Sequence, residues 1–371
     1  MVIHRYVDPL LEAAQTACTT LVAVSNPASS MEASAPGAAL ASVGPDDGLI
    51  IDLTIAERER LAEGLARVTR GQFERVVRLL VGMDDHRGVA ELLVTLDRLR
   101  AVLRLVQAEI GTEAFTAEDA VLVEAAELLA PLDKGRVGAA TIAGLRQRHA
   151  AQLRPEVFAT AAAVLEQRWR REQERAVEQP ADLQRAVHLL RRAQARYAAW
   201  PVADDTPATS YGRRAIRHEF RAIEPGLAST YRAARRAWRR AGETRQADDF
   251  LAWQREVDHL RHQLRLLAGL WPDVVGGMAR SLDRLHAVLL EEHHLTTLMM
   301  AVNAEPSLCS EPAERSLLFA LAQHRRGELH ELSVHAGKRL FAEPTKRFCL
   351  RMALYWDAWS TPDDDLLALP S

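Results

Sequence analysis

Lysine is nearly missing: Lys134, Lys338 and Lys346 are the only three among 47 basic residues, so the positive charge is almost all arginine. Arginine's planar fork suits bidentate contacts with phosphate. A bias running through a whole chain also follows from a GC-rich coding sequence, so it decides little alone. Cysteine is as scarce. Cys18, Cys309 and Cys349 stand apart with no C-x-x-C pair, which excludes a thiolate metal knuckle and points to a reducing compartment. Aromatics make up 5% of the chain. No apolar run reaches the roughly 18 residues of a membrane span, and Asp8 and Glu12 fall where a signal peptide is uncharged. A cytoplasmic protein without a membrane segment is expected. Period-two strand patterns are also missing, so the expected class is all-α.

The chemistry of common enzymes is missing too. There is no P-loop and no nucleophile elbow. No His-Asp dipeptide occurs, and the aspartates at 84–85, 248–249 and 363–365 lack the D-D-x-x-D spacing that holds magnesium and a diphosphate. His286, His293 and His294 with Glu291 and Glu292 could suggest a metal site, but adjacent histidines do not easily face one ion. No catalytic residue, metal or cofactor is expected. Tyr231, Trp238, Phe250 and Trp253 lie among arginines, a pattern that can serve base stacking. At helical spacing they read as core, so a nucleic-acid partner is not expected. His259 and His262, beside Arg255, read as a solvated face.

What is present is helix, with charge unevenly spread. The net charge is −3 over 371 residues. Residues 1–60 hold three Arg against eight acids, whereas residues 212–265 hold thirteen Arg against seven. A basic region inside an acidic chain is the footprint of an anion site, or of a helix face laced with ion pairs. Residues 26–49 read as a linker after a short apolar helix near 8–24. A capping box (Thr54 to Glu57, or Asp52 as cap) predicts a helix to about 82. Further helices are expected near 87–110, 117–131, 138–150, 155–176 and 183–199. After a linker at 201–211 come 212–241, 247–270, 273–303, 312–341 and 346–359, then an acidic tail at 361–371.

The chain also repeats weakly. EGLARVTRGQF (63–73) and PGLASTYRAAR (225–235) share Gly-Leu-Ala and a later arginine, Arg70 or Arg232. Each precedes a second helix, and at an offset of 161 Asp97 matches Asp258, Arg100 matches Arg261 and Arg104 matches Arg265. On the second of these helices Val257, Leu260, Leu264, Leu267 and Trp271 form an apolar stripe. The repeat predicts two similar halves, 52–200 and 212–360, each a helical bundle.

These motifs resemble the conserved histidine α-helical domain (CHAD) family. GLASTYRAARRAWRRA (226–241) is similar to the family's opening helix, and VAELLVTLDRLRAVLRLV (89–106) to its second. LLEEHHLTTLMM (289–300), HAGKRLFAEPTKRF (335–348) and RRAQARYAAWPV (191–202) resemble later motifs in order. The resemblance implies two four-helix bundles related by pseudo-two-fold symmetry, with a basic cavity between them that binds inorganic polyphosphate without chemistry. The ligands it implies are Arg70, Arg100, Arg104, Arg232, Arg235, Arg239, Arg261, Arg265, Lys338 and Arg339. The chain departs from the pattern at its defining positions. The family's histidine falls on Ala90 and Leu251, its next Arg on Leu93 and Gln254, and a third basic position on Asp97 and Asp258. At i+3 each aspartate can pair with its own arginine. Two expectations follow: weakened binding of polyphosphate or a similar polyanion, associated with polyphosphate granules, or a scaffold for a protein partner with the cavity closed by Asp–Arg pairs.

Overall fold

The computed structural model describes residues 53–361 apart from 58, 82–87, 155, 179–180, 199–215 and 310. The expected helix near 8–24, the linkers at 26–49 and 201–211, Asp52 and the acidic tail lie outside the described residues, the tail's first residue, Thr361, excepted. Among the described residues every regular element is helical and there is no strand, so the class is all-α.

The helices are α1 (Leu61–Val81), α2 (Gly88–Leu105), α3 (Gln107–Ile110), α4 (Thr112–Leu129), α5 (Pro131–Arg148), α6 (Ala159–Glu178) and α7 (Ala181–Ala198). Then follow α8 (Phe220–Thr244), α9 (Ala247–Leu266), α10 (Gly277–Ala304), α11 (Pro312–Leu340) and α12 (Thr345–Ser360). The first helix starts later than its capping box predicts. Thr54 is not its cap: its carbonyl accepts from Arg67 Nη2 at 2.7 Å, and Ile55 N–H donates to the Leu266 carbonyl at 3.0 Å. These contacts hold residues 54 and 55 between α1 and the end of α9. The open N-terminus of α1 is met instead by a side chain from far along the sequence, since Leu61 N–H donates to His218 Nδ1 at 3.0 Å. A remote acceptor satisfies an orphan donor as well as a local cap does.

α1 packs on α2 and α7, α4 on α7, and α5 on α6. Farther along the chain, α8 packs on α9, α9 on α10, α10 on α11, and α12 back on α8. One apolar core spans both sets, running from Leu61, Leu65 and Phe73 through Leu96 and Leu99 to Tyr231, Trp253 and Phe348. The aromatics read as core pack as core: Tyr231 stacks on Phe348 at 4.1 Å, and Phe250 and Trp253 are fully buried. Trp356 is buried against Trp359 and Phe220. A second apolar cluster joins the far ends of the helix pairs, setting Ile142, Leu145, Phe158 and Leu165 against Leu295, Leu298, Val302 and Leu318.

Trp271 departs from its predicted stripe. Val257, Leu260, Leu264 and Leu267 are buried, but Trp271 is 46% exposed. The α-helix ends at Leu266, a 3-10 turn follows, and extended backbone at Trp271 swings the indole edge-on to Tyr355 at 5.0 Å.

Candidate functional site: the crossing of α2 and α9

The two helices that carry the repeated Asp–Arg block pack against each other. Buried Gln263 on α9 donates to the Ala101 carbonyl of α2 at 3.1 Å, which fixes the crossing. Four aspartates and three arginines gather beside it. Arg261 is buried, with Nε donating to Asp258 at 2.7 Å and Nη2 reaching the same carboxylate at 2.6 Å. Its Nη1 lies 3.5 Å from Asp283 on α10, and Arg265 holds the other oxygen of Asp283 at 2.8 Å. On α2, Arg100 meets Asp119 of α4 through Nε at 2.8 Å and Nη2 at 3.4 Å, while its Nη1 lies 3.6 Å from Asp97. Arg100 and Arg261 are thus each held between the aspartate one turn before and an aspartate on the next long helix.

The two i, i+3 aspartates are not equivalent. Asp258 is buried, with His286 Nε2 3.1 Å from its carboxylate. Asp97 keeps 41% of its side-chain surface accessible, with Arg100 Nη1 3.6 Å away. Burial by the surrounding protein, and then the charge of Asp258, push the Asp97 carboxyl up to about 7. Arg100 and Arg261 oppose that rise without cancelling it.

The histidines around this cluster are neutral. His259 and His262 are buried, not on the solvated face expected of them, because α9 is enclosed by α2, α8 and α10. Burial, reinforced by nearby arginines, holds both well below the usual histidine value. Burial likewise brings His286 down to about 4, and its Nε2 lies 2.8 Å from Gln254 Nε2.

One turn along, Glu256 lies 4.0 Å from Arg104. Burial raises the Glu256 carboxyl, and Arg104, Arg236 and Arg100 pull it back in that order. The other expected anion ligands sit on three further helices. Arg70, Arg232, Arg239, Lys338 and Arg339 are exposed on α1, α8 and α11. Arg235 is half-buried, and its Nε donates to the Phe341 carbonyl at 2.9 Å, tying α8 to the end of α11. The crossing therefore brings together Arg100, Arg261 and Arg265, with Arg104 one turn away.

Sequence reasoning missed Asp119, Asp283, Glu256 and Arg236. Asp119 and Asp283 lie 22 residues after Asp97 and 25 after Asp258 respectively. The signal available was that spacing: a carboxylate on the helix following each repeated block. Nor did the Glu-Glu-His-His stretch form one centre. Glu292 is buried and accepts from Arg326 at 2.8 Å, with His330 at 3.2 Å, whereas Glu291 takes Arg325 at 2.7 Å and 2.9 Å. The His293 and His294 rings lie 6.2 Å apart.

The model of the CHAD domain family matches residues 60–303, well over half of the chain. The chain belongs to the CHAD family. The matched stretch takes in both Asp–Arg blocks, Asp119, Asp283 and the Glu-Glu-His-His helix, but ends before the 335–348 motif. No curated protein matches the chain significantly. No described helix is long and apolar enough to cross a membrane.

Proposed function

We propose that this CHAD protein is a non-enzymatic binder of polyphosphate or a similar phosphate-rich anion, with an inner site held shut by its own carboxylates. The observation that carries the reading is the pair of clamps, Asp258–Arg261–Asp283 and Asp97–Arg100–Asp119. Arginines at these positions are what the family resemblance assigns to the anion, and here four aspartates occupy them instead. The exposed cations Arg70, Arg232, Arg239, Lys338 and Arg339 remain for an incoming polyanion. Each charge-assisted contact contributes roughly 1.5–3 kcal/mol, so the loss of several inner contacts costs decades of affinity. Weak, salt-sensitive binding near neutral pH follows, and a cytoplasmic location near polyphosphate granules is in keeping with it.

The same closure favours a second reading, a scaffold whose arginines only hold α2, α4, α9 and α10 together and whose surface binds a protein partner. Titration of inorganic polyphosphate against the full chain and its Asp119→Asn/Asp283→Asn variant separates the two. An anion site opened by that change binds about tenfold tighter or better. A scaffold does not gain.

A further inference from the structure

The clamp around Arg100 is built asymmetrically. Asp119 grips the Nε and Nη2 edge of the guanidinium, and Asp97 faces the remaining Nη1. Asp97 is the only one of the four aspartates on the guanidiniums that is more than a third exposed. We propose that the α2–α9 crossing is a proton-gated anion site, in which protonation of Asp97 releases Nη1 of Arg100 to a phosphate oxygen. The gate rests on the reading of the inner arginines as a closed anion site and adds what opens it.

The neighbouring groups decide whether one proton suffices. From α9, Asp258, Arg261, Arg265 and the neutral His259 and His262 face the cluster, and from α10 Asp283 and the neutral His286 do. From α4 comes Asp119, and from α8 Arg236 bears on Glu256. With the histidines held neutral, they do not charge in the range where Asp97 does. The carboxyl of Asp97, pushed up to about 7 by burial and by Asp258, changes charge near neutrality. Four carboxylates face Arg100, Arg261 and Arg265 above that value, and three face them below it. Protonation also turns Asp97 from a competitor for the anion into a hydrogen-bond donor toward it.

The test is a titration of inorganic polyphosphate of defined length against the full chain at pH 5.5–8.5 and constant ionic strength, beside Asp97→Asn. The wild type is expected to bind about tenfold more tightly at the acid end, one charge-assisted contact's worth. Asp97→Asn is expected to hold that tighter affinity at every pH and to lose the tenfold slope. A wild type with flat affinity, or a variant that keeps the full slope, overturns the gate while leaving a closed anion site standing. Absence of binding by both proteins at every pH overturns the gate and the anion reading together. Asp97→Ser repeats the comparison if the asparagine variant fails to fold.

Discussion

Gly226 of α8 lies so close to Leu105 of α2 that a methyl group on it would stand 2.2 Å from the Leu105 carbonyl oxygen and 2.4 Å from that of Arg104. Both obstacles are backbone, which cannot swing aside as a side chain can. The Gly-Leu-Ala of the opening helix is therefore a contact requirement: only glycine lets α8 approach the end of the helix that carries Arg100 and Arg104. Gly226→Ala is expected to lower stability by at least about 2 kcal/mol, as overpacking a close contact does. The measurement is chemical denaturation, and an alanine variant as stable as wild type would refute the close approach.

Arg261 gives a second prediction, because its side chain and that of Asp258 are both more than nine-tenths buried. Arg261→Ala leaves Asp258 and Asp283 without their shared cation in a low-dielectric interior. Removing one partner of a buried pair costs about 3–5 kcal/mol. A large drop in melting temperature is expected, with Asp258→Asn falling in the same direction. An Arg261→Met variant that melts at or above the wild-type temperature would show that the pair positions the helices more than it stabilises them.

Much of this was legible in the sequence, and the omissions have physical reasons. The repeat led to both Asp–Arg blocks, and helical periodicity placed nearly every element. Thr54 failed as a cap because its segment is claimed by Arg67 and by the end of α9, tertiary contacts that no local motif encodes. His259 and His262 read as surface because their neighbour Arg255 is charged, yet α9 is covered by α2, α8 and α10. Asp119 escaped notice because a carboxylate on an amphipathic helix is ordinary until the fold sets it 2.8 Å from Arg100.

Phe158 supplies a third prediction. Its φ of 64° is left-handed, a region where a side chain other than glycine, asparagine or aspartate is strained. Its ring is nonetheless fully buried in the second apolar cluster, and its N–H donates to Glu314 Oε1 of α11 at 2.7 Å. The backbone strain is thus held by packing and by one charged acceptor. Glu314→Ala removes that acceptor and is expected to cost about 1.5–3 kcal/mol. Amide exchange at Phe158 should quicken more than at Leu122 in the main core. Equal change at the two amides would mean the contact does not hold the α5–α6 end to α11.

The last prediction concerns stability against pH, where the two aspartates part company. Asp97 has a folded-state value near 7, against an ordinary 3.8. Between those values the folded protein holds a proton that the unfolded chain has released. Stability therefore falls as pH rises through that window, and the loss is complete above about pH 7. This is opposite to the usual salt-bridged carboxylate, and opposite to the equal loss of stability that pairing in sequence suggests for both aspartates. Asp97→Asn removes the ionisable group while nearly keeping its shape. The variant is expected to exceed the wild type by less at pH 5 than at pH 8, the gain moderated because Asp97 is partly exposed and keeps Arg100 beside it. Asp258→Asn should melt lower at both pH values, since it gives up two short contacts to Arg261. Melting curves of the three proteins from pH 5 to pH 8 make the comparison. An Asp97→Asn variant that loses stability at pH 8 would show that its pairing with Arg100 outweighs its burial and the repulsion of Asp258, and the resting site would then be locked by two equivalent salt bridges.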